Sequence, residues 1–127
     1  GSEMCIRDSR RPQQRSRLCI LHVEASDEAG HEGDVDLKIK TIEYLSERII
    51  APIIEETEKM DEPVAIALLP DHPTPCRLKT HTSDAVPFVI FKPGQKPDGI
   101  DTYSETTAKN GSYGMLDTNQ FIRRFIN

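Results

Sequence analysis

A chain of 127 residues with 36% apolar and 29% charged side chains is long enough for one domain and too apolar to be disordered throughout. It has no apolar run of about eighteen residues, which excludes a spanning helix, and its front lacks the basic-then-apolar order of a secretory signal. A net charge of −5 argues against a general nucleic-acid binder.

Residues 1–17 are polar, rich in arginine and without period, and their EMCIRDSR stretch resembles translated sequencing-adapter text. They are expected to be a non-native or disordered leader, with 18–127 as the domain piece. Residues 18–25 (LCILHVEA) predict a short buried strand. Residues 26–33 predict a loop rich in ligand-type side chains, and Asp34 stands where a helix N-cap belongs. Val35, Ile39, Ile42, Leu45, Ile49 and Ile53 recur at steps of three and four, an amphipathic helix that Pro52 should kink or break. Its other face, with Lys38, Lys40, Glu43, Glu47 and Arg48, reads as solvated.

The apolar run 64–69 predicts a strand covered on both faces. A rigid loop, Pro70-Asp71-His72-Pro73-Thr74-Pro75, follows it. A third strand is expected at 86–91, a turn at Pro93-Gly94, a short helical stretch at 104–109 and a last helix at about 117–126 with Phe121, Ile122 and Phe125 on one side. Strand, helix, strand is the order of an α/β domain, in which ligand sites gather on loops at the carboxyl ends of strands.

Both acidic-histidine groups follow predicted strands. Asp27-x-x-x-His31, Asp71-His72 and Thr80-His81-Thr82 place five carboxylate and imidazole side chains on three loops. Such a mixture suits zinc, manganese, cobalt or iron better than calcium, which takes oxygens only. Each motif alone is common, and local loop hydrogen bonding is the simpler account of either Asp-His group taken singly. The joint placement, and the prolines flanking Asp71 and His72, favour a metal constellation. Gly30 and Gly33 fit either turn chemistry or close backbone approach to a ligand. His22 lies within the first strand and reads as a packed or outer histidine rather than a ligand. Cys5, Cys19 and Cys76 form no C-x-x-C pair, which excludes a disulfide framework or a thiolate zinc site and fits a reducing, cytoplasmic setting.

The segments HVEASDEAGHEGD (22–34), LLPDHPTPC (68–76) and KTHTSDAVPF (79–88), in this order, resemble the archaeal-type cofactor-independent phosphoglycerate mutases of the alkaline phosphatase superfamily. The likeness runs over residues 18–127. It implies the C-terminal part of an alkaline-phosphatase-like three-layer α/β/α sandwich. It implies an intramolecular phosphotransferase that interconverts 2-phosphoglycerate and 3-phosphoglycerate in glycolysis. Two divalent metal ions are expected, manganese or zinc first, with cobalt or magnesium as alternatives. By position, Asp27, His31 and His81 match the ligands of one ion, and Asp71 and His72 match two ligands of the other. The family's nucleophilic serine and a further aspartate have no match, so no catalytic nucleophile is assigned. Ser26 and Ala85 stand where the family usually has proline, which loosens two loops and removes no ligand.

The implied partner is a small phosphorylated substrate, phosphoglycerate, with no nucleic acid and no membrane; the oligomeric state is left open. Two further readings are carried. One is a related metal-dependent phosphatase or phosphotransferase, including the homoserine kinases proposed for some bacterial members. The other is a non-catalytic acidic binding module, for which altering His31 or His72 would change nothing. Loss of N-terminal strands is expected to leave an exposed sheet edge and to make folding of the isolated piece doubtful.

Overall fold

The computed structural model describes the backbone of residues 2–7 and 17–127, with side chains from residue 18 onward. The expected leader, residues 1–17, falls mostly outside the described residues. Of it, Ser2–Arg7 form strand β1, which pairs antiparallel with β2, Arg17–His22, so that Ser2 faces His22 and Arg7 faces Arg17.

The first correction concerns residues 26–33, expected as a loop. They belong to helix α1, Ala25–Glu32. The glycines and ligand-type side chains read as a turn, yet the charges suit a helix: Asp27 and Glu28 lie in the first turn and His31 in the last, each at the favourable end of the dipole. Gly33, at φ 74°, ends it. Its N–H reaches the Gly30 carbonyl at 3.0 Å and the Asp34 N–H reaches Ala29 at 3.1 Å, the paired bonds of a Schellman stop.

Asp34 then caps α2, Val35–Leu45, as expected, its carboxylate accepting the Leu37 N–H at 3.0 Å. The helix is not broken at Pro52. A π turn, Ser46–Ile50, joins α2 to α3, Ala51–Glu58. Proline lacks the N–H that would bond the carbonyl four residues back, and the ladder widens just ahead of it: the Ala51 N–H bonds Ser46, five residues back. Pro52 itself sits in the first turn of α3, where no donor is required.

The later strands are shorter than expected: β3 is Ile66–Leu68 and β4 is Val89–Phe91, antiparallel, with Ile66 opposite Phe91 and Leu68 opposite Val89. The double coverage expected for 64–69 is not supplied by the described residues, since Leu69 and Phe91 are about half exposed. Val35, Ile39 and Ile42 on α2 are likewise open. Lys38, expected among solvated residues, is instead partly buried, its ammonium on the Thr74 carbonyl at 2.6 Å.

The chain closes with α4, Glu105–Ala108, and α5, Thr118–Ile126. Asp117 and Gln120 form a capping box: the Gln120 N–H donates to the Asp117 carboxylate at 2.8 Å and the Asp117 N–H to the Gln120 side-chain oxygen at 2.9 Å. Phe121 meets Phe88 edge-on with ring centroids 5.1 Å apart, which seats α5 beside the strand β4. Tyr103 donates to the Pro87 carbonyl at 2.8 Å.

These elements bury little apolar surface. Among the described residues few side chains are enclosed: Ala29 at 1% exposure, Thr74 at 4%, and Pro87 ahead of β4. Ala29 and Thr74 lie where α1 meets the loop after β3, so close packing supports the loops expected to carry ligands. No helix among the described residues is long and apolar enough to cross a membrane.

Candidate metal centre

The helical form of residues 25–32 changes what the Asp27-x-x-x-His31 spacing means. Four residues apart on a helix, the two side chains share a face and meet one turn apart. The carboxylate Oδ2 of Asp27 lies 3.3 Å from His31 Nε2. The chain after β3 returns to the same face and brings His81, whose Nε2 lies 3.2 Å from Asp27 Oδ1 and 3.0 Å from His31 Nε2. One ligand atom from each of Asp27, His31 and His81 falls within 4.8 Å of the others.

Their partners fix which atoms are free. His31 Nδ1 is 3.1 Å from the Lys79 carbonyl oxygen, which can only accept, so Nδ1 carries a proton and in the neutral ring Nε2 presents a lone pair. That lone pair points at a carboxylate oxygen and another imidazole nitrogen. The Asp27 carboxylate and the neutral His31 Nε2 are both acceptors and both face His81 Nε2, so a proton on His81 or a cation belongs between them, and two imidazoles with one carboxylate are a donor set that a divalent transition ion accepts. Lys79 holds its carbonyl there from a left-handed conformation at φ 54°, sparsely populated for a residue with a side chain.

His72 and Asp71 stand beside this trio. The His72 ring lies on the His81 ring with centroids 3.6 Å apart, and His31 is 4.8 Å from His81 by the same measure. His72 Nε2 is 3.4 Å from Asp71 Oδ2, while the other oxygen of Asp71 accepts the His72 backbone N–H at 3.0 Å. All three imidazoles expected at the site therefore converge, and Asp71 joins them through His72. His22 does not: expected as a packed or outer histidine and not a ligand, it is about half exposed, with Nε2 3.7 Å from a Glu24 carboxylate oxygen.

Three contributors were not visible in the sequence. Thr74 donates its hydroxyl proton to Asp27 Oδ1 at 2.5 Å and touches His72 Nδ1 at 3.2 Å. The Lys79 carbonyl and the Lys38 ammonium act through their contacts with His31 and Thr74. The only local signal was for Thr74, whose place between two prolines fixes its backbone. The Thr74 hydroxyl is also the main reason that the Asp27 carboxyl is held below its usual pKa; burial opposes it, and His31, His81 and His72 add to the lowering in that order.

A cleft lined by Lys92, Gln95, Tyr113, Arg123, Arg124 and Asn127 contains none of these residues. The Lys92 ammonium is engaged with the Arg124 carbonyl, and both arginines lie in the last turn of α5, where cations complement the helix dipole. That accounts for its basic lining.

The fold and the convergent donors define a class, and comparison agrees: residues 9–121 match the family described as the metalloenzyme superfamily, and the chain belongs to it. Within that class the similarity is specific. The chain is 46% identical over 106 residues to the 2,3-bisphosphoglycerate-independent phosphoglycerate mutase of Methanosarcina mazei, covering 83% of this chain and 27% of that one. It is 46% identical over 109 residues to the enzyme of the same name from Methanothrix thermoacetophila, covering 86% and 28%. A solved structure of a Pyrococcus horikoshii protein superposes with a TM-score of 0.70 at 31% identity, over 80% of this chain and 30% of that one. The chain thus spans about a quarter of the length of the curated relatives it matches, and its α/β elements are a piece of an alkaline-phosphatase-like fold.

Proposed function

We propose that this chain supplies the metal-binding part of a cofactor-independent phosphoglycerate mutase. In this reading Asp27, His31 and His81 hold one divalent ion, manganese or zinc, and Asp71 and His72 give two ligands to a second. The observation that carries it is the convergence of His31 Nε2, His81 Nε2 and the Asp27 carboxylate, with His31 turned by the Lys79 carbonyl so that its free nitrogen faces the other two. Support comes from the relatives' name and from the order of the three motifs.

When bound, a pair of divalent ions neutralises charge on the non-bridging oxygens of a phosphoryl group and lowers the pKa of a hydroxyl beside them. The rest is positioning by this chain. α1 sets Asp27 and His31 one turn apart, Lys79 and Thr74 orient the rings and the carboxylate, and the Pro-bounded loop holds Asp71 and His72 alongside. The serine that accepts the phosphoryl group and its neighbouring aspartate are assigned to the part of such an enzyme that this chain does not match, and the substrate is 2- or 3-phosphoglycerate.

Titration calorimetry of the purified chain with manganese and with zinc tests the reading. At least one ion should bind, and His31→Ala should abolish or strongly weaken that binding. Failure of the parent chain to bind either ion refutes it. The chain alone should show no mutase turnover, and turnover above a His31→Ala blank would overturn the assignment of the nucleophile elsewhere.

A further inference from the structure

We infer that Thr74 is a positioning residue that ties the two ligand groups together, its one hydroxyl holding Asp27 of α1 and His72 of the neighbouring loop in a single hydrogen-bonded chain. This deepens the cation-site reading above and rests on it.

The direction of the chain follows from counting protons. A threonine hydroxyl has one proton to give, and a carboxylate can only accept. With Asp27 Oδ1 at 2.5 Å, the Thr74 proton goes there. The contact at 3.2 Å between Thr74 Oγ1 and His72 Nδ1 must then be donated by the ring. A second acceptor agrees: the Pro73 carbonyl oxygen lies 3.4 Å from the same Nδ1 and has no proton to offer. The neutral His72 ring therefore carries its proton on Nδ1, and its Nε2, 3.4 Å from Asp71 Oδ2, is the bare nitrogen. One hydroxyl thus sets the free nitrogen of His72 and the orientation of the Asp27 carboxylate at once.

Thr74 can do this because it is itself immobilised. It is 4% exposed, its carbonyl takes the Lys38 ammonium at 2.6 Å, and the α1 backbone at Gly30 presses against it. The consequence is a coupling between the groups: how well Asp27, His31 and His81 grip an ion depends on a residue of the Asp71–His72 loop that touches no ion.

The test uses the 127-residue chain and two variants, Thr74→Val and Thr74→Ser. Calorimetric titration with zinc and with manganese should show Val weakening the site by roughly 10–100-fold, the range for loss of an outer partner of a metal ligand. Ser, which keeps the hydroxyl, should stay close to the parent. Nitrogen NMR of the metal-free parent at alkaline pH should show His72 protonated on Nδ1, and this preference should weaken in the Val variant, where the Pro73 carbonyl alone still takes that proton. Parent His72 protonated on Nε2 overturns the inference without any variant, and so does a Val variant that binds like the parent, which leaves the cation reading intact. If Val fails to fold, Ser decides: a loss of affinity in Ser assigns the effect to methyl packing and overturns the role of the hydroxyl. No ion bound by the parent defeats both readings together.

Discussion

Gly30 offers a prediction whose sign runs against helix propensity. Replacing a glycine within a helix by alanine ordinarily stabilises by about 1 kcal/mol. At Gly30 a Cβ would land on the Thr74 carbonyl oxygen, far inside contact distance, and 3.0 Å from both Thr74 Cγ2 and Lys38 Nζ. The obstacle is backbone, and it is pinned by the Lys38 ammonium and by the Thr74 hydroxyl on Asp27. Overpacking of this kind costs about 1–3 kcal/mol. Loss of the bond to the charged lysine adds about 1.5–3 kcal/mol if the loop retreats. Set against the propensity gain, Gly30→Ala should destabilise by roughly 2–4 kcal/mol, which for a chain of this size lowers Tm by roughly 10 °C. Thermal unfolding followed by circular dichroism reads the first effect and cation titration the second, since the retreating loop carries Thr74 and His72. A Gly30→Ala chain that melts at or above the parent temperature and keeps its cation affinity would show that the contact between α1 and this loop does not hold the site.

Two further substitutions probe separate parts of the fold. Gly33→Ala should cost about 1–2 kcal/mol, because φ 74° is left-handed and the new Cβ would sit 3.2 Å from the Cys76 carbonyl oxygen; a melting temperature unchanged from the parent would contradict the Schellman stop described for α1. Tyr103 has its pKa raised to about 12, by burial first and by Glu105 second. A raised value means the neutral phenol is favoured in the folded chain, so its contribution is whole below pH 10 and is lost as pH rises through about 12. Denaturant midpoints taken across that range should fall for the parent and stay flatter for Tyr103→Phe, which is itself weaker at neutral pH by about 0.5–1.5 kcal/mol for the lost bond to Pro87.

What the sequence disclosed divides along physical lines. Asp34 marks a helix start because capping is settled within four residues, and the last helix, expected at about 117–126, opens on the Asp117–Gln120 box that the structure shows. The three-and-four spacing through Ile53 found α2 and α3 but not the π turn, since periodicity does not say how the ladder adjusts ahead of a proline. α1 looks like a loop in the sequence because Gly30 and Gly33 punctuate it. Gly30 is there for close packing on Thr74, which has no local signature, and Gly33 is the left-handed stop, a helix end that in sequence also fits a plain turn. The convergence of His31 and His81 spans fifty positions, beyond any local rule: the joint placement of the motifs pointed to a shared constellation, and the resemblance paired these two. Thr74 was passed over because a threonine between prolines looks like loop chemistry until its hydroxyl is seen on Asp27.

The distribution of burial bears on how such a piece behaves. Its closest packing, Ala29 and Thr74, lies beneath the polar cluster, while Val35, Ile39 and Ile42 on α2 and Val89 and Phe91 on β4 stay about half exposed. Apolar burial is ordinarily the main term holding a domain together, and little of it is closed here. What joins α1 and α2 to the loop after β3 is instead a polar bracket: Lys38 of α2 on the Thr74 carbonyl, Thr74 on Asp27, and Lys79 on His31. An ion gripped by Asp27, His31 and His81 would span the same junction from the solvent side. Binding to the folded form alone stabilises it by about 2.7 kcal/mol at a hundredfold excess over Kd. In a chain with so small a core, that is a large share of what separates the assembled site from a loose one, so the site and the fold around it stand or fall together.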